Sequence, residues 1–275
     1  MNSKGLQLGA ILFCALVAVG FYLLPKKAPA GLAKKMPMAQ LDTSFSFSDF
    51  ETEARNSLDS GSLAALNSWE TKGDTASLKQ AAEFWASVQN AGMSGYYIEK
   101  ITRIAPTVEN WYNAGFRYLI AARTTEKDGQ KLFFTKKAIS SFENVLAKDS
   151  GNLEAKANLG VCFVEGAQLL GSPPMQGVKL LLDVVAKDPN NVTALVNLGY
   201  FALQSGQLDK ALERFNYLVQ IKPDYLDAYI YLANVYEKMG KKDEAIKTIE
   251  ILKSKTKDPE FQVQLQNYIQ EIKSS

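Results

Sequence analysis

Apolar residues recur at helical spacing through the C-terminal two thirds of the chain. Leu208, Ala211, Leu212, Phe215, Leu218 and Val219 fall on one face of a 3.6-residue helix. The same text returns 34 residues later, so that Leu198 is followed by Leu232, Gly206 by Gly240 and Ala211 by Ala245. A fixed period of this length predicts stacked helical hairpins, each unable to bury its apolar face alone. Pro189 and Pro223 are placed to end second helices, since proline removes a donor and restricts the residue before it. No long strand-like alternation interrupts the pattern, and the predicted fold class is all-α. Residues 260–275 form a last amphipathic segment, with Phe261, Leu265, Tyr268, Ile269 and Ile272 on one face, suited to capping the final hairpin.

Within residues 192–225, Leu198-Gly199, Gly206, Ala211, Phe215 and Pro223 stand at the spacing of the tetratricopeptide repeat, and the unit resembles that family. Leu195 and Ala202 replace the Trp and Tyr of its pattern. Residues 226–259 repeat it with Tyr229, Leu232, Ala233, Tyr236, Gly240 and Ala245. Residues 153–191 open with Leu159-Gly160 and Phe163 and carry extra residues near Gly171-Ser172-Pro173-Pro174. Residues 108–152 open with Trp111, Gly115 and Tyr118 and carry a longer insertion over 124–136, and 75–107 form a degenerate unit with Ala81-Ala82, Trp85 and Pro106. The resemblance implies an α-solenoid of about five helical hairpins over 75–259, and a protein-binding rather than catalytic role.

The N-terminal part reads differently. After a short tail, 1–5, the stretch from Leu6 to Leu24 holds no charge. As a helix it spans roughly 28 Å, close to the thickness of a bilayer core. It is therefore expected to be one transmembrane helix, a single-pass anchor in a bacterial inner membrane. The competing reading is a cleaved secretory signal with Ala28-Pro29-Ala30-Gly31 at its end. Lys26, Lys27, Lys34 and Lys35 follow the apolar run and lean the array to the cytoplasmic side. Residues 25–74 are expected to form a tether and an imperfect helical region.

Charge and composition exclude several functions. The formal charge is +2, but five lysines precede every acidic residue, and the remaining chain has 26 basic against 29 acidic residues. That balance argues against nucleic acid as a partner. The chain has no histidine, which removes Ser-His-Asp and Cys-His nucleophile activation and histidine-ligated zinc. No metal, cofactor or small-molecule substrate is expected. Cys162 reads as a small core residue, and Asn191-Val192-Thr193 is a formal glycosylation sequon.

In the family the first helix of each hairpin lines the surface that grips extended peptides. On those helices stand Asn113, Asn158 and Asn197, whose carboxamides can both donate to and accept from peptide main chain. Tyr112, Phe116, Tyr200 and Tyr231 lie on or near the same surface and offer apolar contact. The family's carboxylate clamp does not fit, because Tyr112 and Phe116 occupy the places of its Lys and Asn. The expected function is a non-catalytic, membrane-tethered scaffold for other proteins or peptides, with an exported periplasmic chaperone-like protein as the alternative.

Overall fold

A computed structural model describes residues 44–274. Among the described residues there are fourteen helices and no strand. In chain order they are α1 (Phe47–Asn56), α2 (Ser60–Lys72), α3 (Thr75–Ser87), α4 (Ala91–Ile104), α5 (Val108–Thr124), α6 (Asp128–Lys148) and α7 (Leu153–Glu165). There follow α8 (Ala167–Leu170), α9 (Met175–Lys187), α10 (Val192–Gln204), α11 (Leu208–Ile221), α12 (Leu226–Lys238), α13 (Lys242–Lys255) and α14 (Pro259–Ser274).

Local chemistry sets the helix ends. Asp74, Thr107, Asn152 and Asn191 each accept a hydrogen bond from the backbone N–H three residues on, capping α3, α5, α7 and α10. The turns into α11 and α13 pass through Gly206 and Gly240 at φ of 75° and 73°, a left-handed conformation that a side chain disfavours. α11 ends at Ile221, and Lys222 leaves the helical conformation, with φ of -136° and ψ of 68°, before Pro223.

Helices pair as hairpins, α3 with α4, α5 with α6, α7 with α9, α10 with α11 and α12 with α13, and α14 packs on α13. Within a hairpin, close approach is bought by glycine on the first helix facing an aromatic ring on the second. A Cβ on Gly115 would lie 2.9 Å from the Phe142 ring, and one on Gly199 would lie 2.8 Å from Phe215. Phe142 and Phe215 are themselves fully buried. The core runs continuously along the array: Val185 packs against the apolar clusters on both sides of α9, and Val219 joins the cluster of α10–α12 to that of α12–α14. Leu265, Ile269 and Ile272 of α14 are buried, and Tyr268 donates to Glu237 at 2.7 Å. Both insertions stay helical in part: α5 and α6 reach 17 and 21 residues, and the second adds the single turn α8 before Gly171.

Ahead of the hairpins, α1 is held by aromatic rings. Phe47 stacks on Phe133 at 5.5 Å and meets Tyr96 at 4.8 Å, while Phe50 meets Phe134 edge-on at 5.4 Å. Arg55 then ties α1 to α2 through Asn67 and Glu70.

The transmembrane helix expected over 6–24 lies outside the described residues. Among the described residues no helix is long and apolar enough to cross a membrane, so the expectation of a single-pass location in a bacterial inner membrane is corrected and carried no further. A second reading also changes. Asn191 of the sequon is 6 % exposed, and its amide caps α10 and donates to Glu154 at 2.9 Å, so this side chain is consumed in packing. Cys162 is buried, and burial pushes its thiol well above the usual range.

Candidate functional site: the wall of first helices

The first helices of four successive hairpins, α5, α7, α10 and α12, touch one another in sequence and form one wall of the array. Each presents a side-chain row whose partners sit on the next helix, and these cross-links position the surface groups.

At the α5–α7 step, Asn158 is 5 % exposed and its amide donates to Tyr112 Oη at 3.2 Å and to the Glu154 carbonyl at 3.0 Å. Both donors of this carboxamide are therefore used within the protein, and its effect on the surface is to hold Tyr112. The Tyr112 ring runs parallel to Phe116 at 6.4 Å, one turn on, and meets Phe142 edge-on. Burial, reinforced by the Glu154 charge, pushes the Tyr112 hydroxyl above its usual range. Phe116 is 43 % exposed, a large apolar group left on the surface, and Asn113 beside it is exposed.

Farther along, Arg123 at the end of α5 donates to both oxygens of Glu165 at the end of α7, at 2.9 and 2.7 Å. Burial disfavours the guanidinium charge, but the paired carboxylate outweighs it and holds Arg123 above its ordinary value. The same guanidinium reaches Asn197 Oδ1 at 3.5 Å, while the Asn197 amide donates back to Thr193 O at 2.7 Å. Glu154 links the same helices at the other end, accepting from Asn191 and Thr193.

At the α10–α12 step, Tyr200 meets Tyr231 edge to face at 6.0 Å, and Tyr231 stacks on the buried Phe215 at 5.1 Å. Burial, then the Asp227 charge one turn earlier on α12, pushes the Tyr231 hydroxyl up to about 12. Asp227 itself is half-buried, and burial raises its carboxyl above the usual range.

The sequence-derived residues thus fall into two groups, Tyr112, Phe116, Asn113 and Asn158 at one step and Asn197, Tyr200 and Tyr231 at the other. The charged members, Arg123, Glu165, Glu154 and Asp227, were not legible from the repeat pattern. Arg123 pairs across 42 residues with a partner at the far end of another helix, and no local spacing announces it. Its one signal is that α5 outruns the repeat's first helix.

Models of the tetratricopeptide repeat match residues 202–266 and 180–213. No curated protein matches the chain. Among solved structures, TTC0263, a thermophilic TPR protein in Thermus thermophilus, is similar at 16 % identity over 72 % of this chain and 98 % of its own, with a TM-score of 0.54. MamA is similar at 21 % identity over 63 % of this chain and 93 % of its own, with a TM-score of 0.45. YrrB, described as a TPR protein with an unusual peptide-binding site, is similar at 20 % identity over 72 % of this chain and 94 % of its own, with a TM-score of 0.43. The described chain is an all-α solenoid of the TPR type, and the tetratricopeptide repeat itself is matched over residues 180–266.

Proposed function

We propose that the protein is a non-catalytic interaction scaffold that holds an extended segment of a partner protein along the wall of α5, α7, α10 and α12. The observation that carries this reading is the partly exposed chemistry of that wall: Phe116 is 43 % exposed, and Tyr200, Tyr231 and Asn197 are only half-buried between helices that pack tightly elsewhere. Aromatic side chains anchored from behind supply contact area at small entropic cost, and carboxamides supply main-chain hydrogen bonds without demanding sequence. The Arg123–Glu165 pair keeps Asn197 in register, so the polar groups are oriented before a partner arrives. Asn158 enters through Tyr112, which it positions.

The reading is tested by crosslinking pull-down from the source cell with the intact chain, the Asn113→Ala/Asn158→Ala/Asn197→Ala variant, and a Tyr200→Ala/Tyr231→Ala variant. Partner recovery is expected to fall for both. Arg123→Gln is expected to lower recovery with little change in stability, because a pair with side chains 45 % and 25 % exposed contributes only about 0–1 kcal/mol. Undiminished recovery by all three variants would overturn the assignment.

A further inference from the structure

On this wall Glu165 has an ion-pair partner, whereas Glu154 and Asp227 have none among the described residues. Arg123 is consumed by Glu165 in a two-point pair. Glu154 receives only neutral donors, the Asn191 amide and the Thr193 hydroxyl. The Asp227 carboxylate has no hydrogen bond and no ion pair among the described residues, yet the residue lies half-buried at the first turn of α12 beside Tyr231. A helix N-terminus favours a carboxylate and would lower its pKa. Here burial wins and raises it, with no cation near enough to oppose the shift. An uncompensated carboxylate held partly out of water costs free energy in the absence of a partner, and an arriving cation would recover it.

The surroundings suit a cation. The Tyr231 ring is backed on one side by Phe215, in near-parallel stacking at 15°, and is met at its edge by Tyr200. The negative face of an aromatic ring attracts ammonium and guanidinium groups. A carboxylate one helical turn from a fixed tyrosine ring therefore presents two kinds of attraction for one positive side chain, while the charges of the nearby Arg123–Glu165 pair act on both tyrosines in opposite senses and leave Asp227 as the unpaired charge beside them.

Resting on the reading that this wall binds peptide, we infer that its occupant is basic: a segment carrying lysine or arginine, with one such side chain seated against Asp227 and the rings of Tyr200 and Tyr231. A free lysine or arginine metabolite would lack the main chain that Asn197 and Asn113 can grip, and the commitment is to a peptide segment.

The test selects peptides from a random phage-displayed library on the full chain, on Asp227→Asn and on Asp209→Asn. Asp209 lies exposed in the first turn of α11, a second helix, and serves as a charge-matched control. Selected peptides are then synthesised and titrated by fluorescence polarisation. The intact chain is expected to enrich lysine and arginine over the library input. Asp227→Asn is expected to weaken those peptides by about tenfold, the loss typical of a charge-assisted contact, while Asp209→Asn leaves them unchanged. Asp227→Asn is nearly isosteric, and circular dichroism of the variant checks that it is folded. Peptides with no basic enrichment, or equal affinity for the intact chain and Asp227→Asn, would overturn the inference. The peptide-binding reading would then stand if Tyr231→Ala still abolished binding of whatever was selected. Failure to select any peptide would overturn both.

Discussion

The contact between α7 and α9 allows a quantitative test of how tightly the hairpins are packed. Gly177 sits in the first turn of α9 with its Cα against the backbone of α7. A Cβ placed there would stand 2.8 Å from Val164 N and 2.7 Å from Val164 Cγ2, and nearer still to the Gly160 carbonyl oxygen. Ordinary contact needs roughly 3.5 Å, so α9 must retreat by about 0.7 Å or more. Two of these three obstacles are backbone atoms and cannot turn aside as a side chain can. Overpacking of this kind costs about 1–3 kcal/mol, against which alanine's better helix propensity returns at most about 1 kcal/mol. Gly177→Ala is therefore expected to be destabilised by about 1–2 kcal/mol. Urea unfolding followed by circular dichroism measures this. Gln176→Ala, at an exposed neighbouring position, is the control and should stay within about 0.5 kcal/mol of the parent. Because each hairpin touches only its neighbours, amide exchange should quicken chiefly in α7, α9 and α10. A midpoint for Gly177→Ala equal to or above the parent's would refute the packing argument, since it would mean that the helices part at no cost.

Three further outcomes are expected. Phe215→Ala removes a fully buried ring against which Gly199 and Tyr231 both pack, and should cost about 3–5 kcal/mol in urea unfolding; a loss under about 1 kcal/mol would contradict the hairpin core. For Glu70, burial alone would raise the carboxyl, but hydrogen bonds from Tyr97 and Arg55 with the charges of Arg55 and Lys100 hold it below 4.5. Its contribution is present above the unfolded-state value and is lost as pH falls through the lowered folded-state value, so Glu70→Gln should flatten the acid limb of unfolding midpoints measured from about pH 7 to about pH 3; an unchanged limb would refute it. Asp227 has the opposite sign: its raised pKa favours the fold below the unfolded-state value, and that favour is lost as pH rises through the folded-state value. Asp227→Asn should thus raise the thermal midpoint near neutral pH while weakening basic peptides, and a midpoint at or below the parent's would count against the buried-charge argument.

The helical period was legible because it is a local property repeated many times. Gly206 and Gly240 at left-handed turns, Gly199 facing Phe215, and Lys222 leaving the helix before Pro223 all stand where the pattern of small, large and breaking residues places them. The site was legible only where it shares that pattern. Asn197, Tyr200 and Tyr231 are brought together because they occupy matching faces of α10 and α12. Asn158 occupies the same repeat position as Asn197, yet it is buried, and Tyr112 of the preceding hairpin's first helix, α5, is long enough to reach its amide. No single repeat contains that information. Arg123 and Glu165 meet only because two helices of unequal length end at the same level, a consequence of packing rather than of spacing. The rings of Phe45 and Phe47 alternate with serines, and their partners Phe133 and Tyr96 come from later helices.

Site-resolved photocrosslinking tests the account's central claim most directly. A benzophenone amino acid replaces Phe116 and, in separate proteins, Tyr231 on the wall of first helices, or Leu182 and Tyr217 exposed on the second helices α9 and α11. Each protein is irradiated with a peptide selected on the intact chain. Adducts are expected from Phe116 and Tyr231 and to be lost when unlabelled peptide competes. Adducts of equal yield from Leu182 and Tyr217, or from those positions alone, would contradict it.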